Sequence, residues 1–339
     1  MLLNKENRCF IKYLFTFSGI FNTLKFLIRK LYNKCFRKND YHNYTKLFKS
    51  IFKRYGCNKK FDLFKNEINS SAKKYKILLA TKPYLLDEKT DWNIKFDDEE
   101  DYESLHRFIW LRYLLSSEKS ISTEEINFTE NILFSWSNKF IHECFDDKSL
   151  VWHPYTLSER IINIIIFYVV SNRKMPISIQ KNLHFMLSIL IKRLEFYNYG
   201  HGNHLINNSR ALLYYALYFD DEELLSYAIQ LLRYSTESFV INKYTCDGSS
   251  HYQLLLYYWF EDLKQFSNKY KKKAISELLS NYNFYLKSGL ETFLIKNNKN
   301  MIFTGDISPD YPPNYLLTLL DDKKLFLKEY SLNLLYKRL

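Results

Sequence analysis

From Ile179 onward, Leu183, Met186 or Leu187, Leu190, Leu194 and Tyr197 recur every three or four residues, holding one apolar stripe on a helix face for about five turns. A helix of that sidedness must bury its stripe against partners. Little punctuation interrupts the rhythm: the chain has seven Gly and six Pro in 339 residues, with 47% hydrophobic and 18% aromatic content. The spacing predicts helices over about 102–116, 123–145, 156–172, 178–197, 204–219, 222–240, 250–269 and 274–295. Short breaks between them make antiparallel hairpins, so the expected fold class is all-α, as a bundle or a double ring.

Three regions flank or interrupt this series. Residues 1–85 read as a basic helical extension packing on the main body, with Phe10, Tyr13, Leu14, Phe17, Phe21, Leu24 and Leu27 or Ile28 at helical spacing between Lys and Arg. Attachment of these helices to a membrane surface is the functional alternative. An acidic, irregular stretch from Pro83 to Asp101 leads into the main domain, taken as 86–315. After Asn300, three prolines (Pro309, Pro312, Pro313) rule out regular helix, and a short Leu-rich tail spans 316–339.

Five scattered cysteines (Cys9, Cys35, Cys57, Cys144, Cys246) show no paired spacing, which argues for buried or idle thiols in a reduced compartment. The N-terminal apolar run faintly imitates an export signal but lacks a small-residue cleavage site, and no stretch reaches the roughly 20 apolar residues of a membrane span. A cytoplasmic location is expected, with the periplasm as the alternative. A net charge of +12 attracts polyanions. A genome-wide preference for Lys, Asn and Ile accounts for the same charge as a merely solvated surface.

Chemistry concentrates at two predicted helix starts. In Tyr199-Gly200-His201-Gly202-Asn203-His204-Leu205-Ile206-Asn207-Asn208, two glycines permit a tight path and Asn203 and His204 open a helix together. An amide that donates without titrating, beside an imidazole that donates or takes a proton near neutrality, suits a carboxylate. The competing reading makes Asn203 only a helix cap. In Cys246-Asp247-Gly248-Ser249-Ser250-His251-Tyr252-Gln253-Leu254 a glycine turn precedes a capping serine, and Tyr252 falls in the first turn, where the helix dipole favours a phenolate. Here too a bland reading stands: His251 on the surface and Tyr252 as one of 29 packing tyrosines.

Other chemistries find no signature. His201 and His204 share a face, but no HExxH, cysteine pair or carboxylate cluster completes a metal set, so no metal is expected. GxGxxG, GxxxxGK[ST] and GxSxG are absent, and no cofactor is expected.

Taken in order, Trp152-His153-Pro154-Tyr155 with Ser158, Arg160 and Asn163, then Gly202-Asn203-His204-Leu205, then Asp247-Gly248-Ser249-Ser250-His251-Tyr252, then Gly305-Asp306 with Ser308-Pro309-Asp310, resemble the helical domain of the heparinase II/III-like polysaccharide lyases, which are related to alginate lyases. The resemblance covers roughly Trp92 to Tyr315. It implies an incomplete (α/α) toroid that binds an anionic polysaccharide and breaks the C4–O bond of a uronic acid by β-elimination. By that resemblance Asn203 and His204 clamp the carboxylate, with His204 sharing base work, and Tyr252 acts as base, acid or both. His201, His251, Arg160, Trp152 and Trp92 border the sugar, unless Arg160 is a buried tie and the tryptophans are core.

The sequence departs from the pattern in two places. Gln253 stands where relatives commonly have His, and the β-sandwich that closes the cleft in such lyases is absent, which implies either a separate chain that supplies it or a binder with little activity. A non-catalytic acidic-glycan-binding or assembly protein is therefore the alternative function. A basic helical nucleic-acid binder is the second, but no recognised motif speaks for it, and no nucleic acid is expected as partner.

Overall fold

The computed structural model describes residues 74–115, 121–143, 146, 148–196, 202–295, 300–313 and 316. The expected helical extension before residue 74, the tail after 316 and His201 lie outside the described residues.

The described chain is all-α apart from two-stranded ribbons, as expected; that the helices close into a toroid stays an expectation. A hairpin of β1 (Tyr75–Leu78) and β2 (Pro83–Leu86) comes first, where a helical extension was anticipated. Thr81, in its turn, donates through both backbone nitrogen (2.7 Å) and hydroxyl (2.6 Å) to the buried Asp101 carboxylate, which ties the ribbon to the first helix. That helix, α1 (Glu99–Arg107), starts behind Asp98, whose side chain accepts from Glu100 N–H. The single helix expected over 102–116 is broken at Phe108, which adopts φ 60°, before α2 (Trp110–Leu115) resumes. A buried Phe in the left-handed region is costly, and the packing of Phe108 against Trp110 and Trp136 (both 5.5 Å between ring centroids) holds it there.

α3 (Thr123–Ser137) begins with a capping box, Ser122 accepting from Glu125 N–H while the Glu125 carboxylate accepts from Ser122 N–H, and runs into a π-helical turn, Asn138–Glu143. α4 (Pro154–Val170) has Pro at its first position, where the missing N–H is not needed. It is the central helix, packing on α1, α2, α5 (Ile177–Lys192) and α6 (Asn203–Phe219). The apolar stripe seen from Ile179 is the buried face of α5: Leu183, Leu187 and Leu190 are each 0% exposed, a burial that contributes about 2 kcal/mol apiece. α5 stops at Lys192, short of the expected 197, which frees Glu195 from helical geometry.

Two tight hairpins complete the helical series. α6 and α7 (Glu222–Phe239) are joined through Asp220 at φ 53° and Asp221, whose carboxylate caps Leu224 N–H at 3.0 Å. α8 (Ser250–Lys269) and α9 (Lys273–Leu290) pack along their length. Gly289 makes that contact possible: a Cβ there would lie 2.1 Å from Gln253 Nε2 and 2.3 Å from Lys243 O. Between α7 and α8, β3 (Val240–Ile241) and β4 (Tyr244–Thr245) form a ribbon turned by Asn242 and Lys243, both at positive φ. The last ribbon, β5 (Leu294–Ile295) with β6 (Asn300–Met301), leads into the strap 302–311. No helix among the described residues is long and apolar enough to cross a membrane.

Candidate functional site

The first helix start lies at the end of α4 and α6. Gly202 is the N-cap residue of α6, so Asn203 is the first helical residue and makes no capping bond, against the cap reading of Asn203. His204 follows, with 47% of its side chain exposed, and its Nδ1 lies 2.9 Å from Glu195 Oε1. Burial alone pushes the Glu195 carboxyl up, but hydrogen bonding and charge from His204, then His153 and Asn208, outweigh it and hold the group below its usual range. A carboxylate on Nδ1 takes that nitrogen's proton as its hydrogen bond and leaves Nε2 with the free lone pair, the arrangement that makes an imidazole a proton acceptor.

Glu195 is itself fixed. Asn208 donates to its Oε2 (3.2 Å), accepts from its backbone N–H (3.0 Å) and donates to Ser158 Oγ (3.1 Å). Asn208 and Asn207 are wholly buried, and Asn207 accepts from Arg210 at 2.6 Å, so the amides of this cluster split: Asn203 is half-buried at the helix tip while the other two brace the helices. His153 adds a second imidazole, Nε2 at 3.7 Å from Glu195 Oε1, its ring 5.8 Å from that of His204. Burial, its largest influence, lowers the basicity of His153.

The second helix start is stitched to the strap. Ser249 caps α8 by accepting from Tyr252 N–H (3.0 Å) and donates to Asp306 O (2.6 Å); Ser250 exchanges bonds with Thr304. Gly305, at φ +77°, lets the strap run against Ser249, since a Cβ would meet Ser249 Cα at 2.9 Å. His251 is completely buried: Ser308 N–H donates to Nδ1 (3.3 Å) and Nε2–H donates to Tyr311 O (2.8 Å). Both nitrogens are spent on backbone, and burial drops its pKa to about 4. Tyr252 stays half-buried, its hydroxyl 3.5 Å from Asp306 Oδ2. The expectation of a phenol eased toward ionisation is overturned: burial first, then Asp306, Asp247 and Glu100, raise its pKa, so it rests as a neutral donor.

Tyr155, the second residue of α4, lies beside the first helix start. Its ring lies 4.8 Å from that of His204, and burial first, then Glu159, with smaller contributions from Asp310 and Tyr252, raises the pKa of its hydroxyl. Arg107 stacks over Tyr155 at 5.1 Å. Burial works against the Arg107 charge, but ion pairs with Asp310, Glu103 and Glu100 hold it firmly cationic.

Four residues expected at the sugar face inward instead. Arg160 is 0% exposed, donates to His106 O (2.8 Å) and Val151 O and lies over Trp136 at 4.2 Å. Trp152 packs on Trp136 and Phe185, and Trp92 donates to Ser135 Oγ at 3.1 Å, both within the core. With His251 these are supports, because a side chain with almost no exposed surface has little to offer a ligand. Gln253, at the departure from the family pattern, donates to Lys243 O and Leu286 O and serves the α8–α9 contact.

Sequence reasoning missed Glu195, His153, Tyr155 and Arg107 as members of this site. His153 and Tyr155 lay inside a quoted motif, but nothing in the spacing tied them to Glu195 or Tyr252. Local spacing offers no carboxylate to the histidines, and the fold brings Glu195 beside His153 and His204.

No family model and no curated protein matches the chain. The crystal structure of heparan sulfate lyase HepC from Pedobacter heparinus is similar at TM-score 0.47 and 14% identity, covering 74% of this chain and 44% of that one. A mutant of the same enzyme gives TM-score 0.48 and 13% identity, over 83% of this chain and 50% of that chain. The chain thus spans about half the length of those structures.

Proposed function

We propose that the chain binds a uronic acid residue of an anionic polysaccharide at the α6 and α8 helix starts and cleaves it by β-elimination. The observation that carries this reading is the Glu195–His204 pair, a solvent-reachable imidazole whose Nδ1 is engaged and whose Nε2 is left to accept, next to the Tyr155 ring. A proton beside a carboxylate is weakly acidic, so removing it needs a positioned base, a donor for the leaving oxygen and hydrogen bonds to the carboxylate. Asn203 supplies an untitratable donor to that carboxylate. His204 Nε2 takes the C5 proton, the released pair forms the C4=C5 double bond, and O4 leaves with the proton of the Tyr252 hydroxyl. Exchange with water returns the proton to Tyr252 and removes one from His204. Glu195 is a positioning residue that stabilises the imidazolium formed in this step. The order of sequence motifs that resembles the heparinase II/III-like lyases agrees with these roles.

The test is the ultraviolet absorbance of an unsaturated uronate, followed with heparan, alginate and bacterial capsular polymers. Product is expected from at least one polymer, falling at least about 100-fold in His204→Ala and in Tyr252→Phe. Product formation undiminished in both variants rejects the residue roles, and no product from any polymer rejects the elimination.

A further inference from the structure

The pairing of His204 with Glu195 explains two of the three donors at this corner but not the third. His153 brings a second imidazole to the same carboxylate oxygen, its Nε2 3.7 Å from Glu195 Oε1. An ion pair needs one imidazole. The donor atoms of His153, Glu195 and His204 all lie within 4.8 Å of one another. Ligands about 2.1 Å from a tetrahedral zinc stand roughly 3.4 Å apart, and the two measured separations here, 2.9 and 3.7 Å, bracket that spacing.

We propose that His153, Glu195 and His204 form a binding site for a divalent transition-metal ion of the zinc class. Two imidazoles and one carboxylate are the donor set zinc takes with a position left open, whereas calcium and magnesium demand oxygen. The support around the ligands is built. Asn208, completely buried, fixes the second carboxylate oxygen, and Ser158 in turn fixes Asn208. Such outer partners set ligand orientation. Side-chain exposures of 36%, 19% and 47% for His153, Glu195 and His204 leave an ion a way in and a face for a further ligand. An ion taking His204 Nδ1 shifts that ring's proton to Nε2, which turns the outward nitrogen from acceptor to donor. Metal loading and proton abstraction by His204 are therefore mutually exclusive.

The inference stands apart from the elimination reading, because its readout is metal binding and needs no substrate. Metal-free full chain is titrated with Zn²⁺ at neutral pH against a chromophoric chelator, and Co²⁺ is substituted for its spectrum. One ion per chain with a dissociation constant at or below about 1 μM is expected. His153→Ala and Glu195→Gln, each checked for a native circular dichroism spectrum, should weaken binding at least about 100-fold, since even outer partners contribute 10–100-fold. The cobalt spectrum should lack thiolate charge transfer, which excludes the cysteines as ligands. Absence of binding to the parent chain overturns the proposal, as does affinity unchanged in both variants or a cobalt–thiolate band.

Discussion

His204 and His251 are each the second residue of a helix that opens just behind a glycine, and the fold sends them to opposite tasks. Around His251 the strap crosses the helix start and covers it, so both ring nitrogens meet backbone groups. Over His204 nothing among the described residues closes in the same way, and a carboxylate engages one nitrogen while nearly half the side chain stays exposed. Sequence type at a helix start therefore does not set the role of an imidazole. What crosses over it does.

The largest expected effect sharpens this contrast directly. His204→Ala should abolish most turnover, at least about 100-fold, while leaving the unfolding midpoint nearly unchanged. His251→Ala should do the reverse to stability: it strands a buried N–H and a buried carbonyl, at a cost of about 3 kcal/mol, read from denaturant unfolding. A stable His251→Ala breaks the comparison.

Acid should reveal the same difference. The folded-state pKa of His251, about 4, lies below its ordinary 6.5, so the unfolded chain binds the proton first. The His251 contribution to stability is complete above about 6.5 and is lost as pH falls to about 4, totalling about 3 kcal/mol, with no further loss from this group below that. His106, also buried and shifted down by desolvation, adds to the loss in the same direction. A stability curve that is flat across this window in the parent chain, or as steep in His251→Ala, contradicts the assignment.

A smaller effect tests the frame that carries the second helix start. Gly289→Ala drives a methyl into Gln253 Nε2 and the Lys243 carbonyl, and destabilisation of roughly 1–3 kcal/mol is expected by urea unfolding. Relief on shortening the amide, in Gly289→Ala with Gln253→Ala, should be partial, because the Lys243 carbonyl is backbone and stays.

The helices were legible in the sequence because their signals are local. Period, capping residue and turn sit within a few residues of one another at Ser122, Asp221 and Ser249, and the predicted α6, α7 and α8 agree with the structure to within a residue or so at each end. Phe108 was not legible, since a bulky residue enters the left-handed region only under pressure from aromatic neighbours far along the chain. The site was half legible for the same reason. Glycine–amide–imidazole order marked His204, but Glu195 was read as the end of a helix, and only the early stop at Lys192 delivers it to His204. Arg107 meets Asp310 across 203 residues and Glu159 meets Tyr311 across 152, separations at which spacing carries no information. Arg160 and the tryptophans misled because an aromatic or basic side chain reads the same whether it lines a cleft or fills a core.

The most direct test of the account is the proton position on the two imidazoles, read by nitrogen NMR with each ring assigned from His204→Gln and His251→Gln. In the metal-free chain, neutral His204 is expected with its proton on Nδ1 toward Glu195 and a bare Nε2, and His251 with its proton on Nε2. A neutral His204 protonated on Nε2, or the same tautomer at both sites, contradicts the claim that one helix start is built to accept a proton and the other to be sealed.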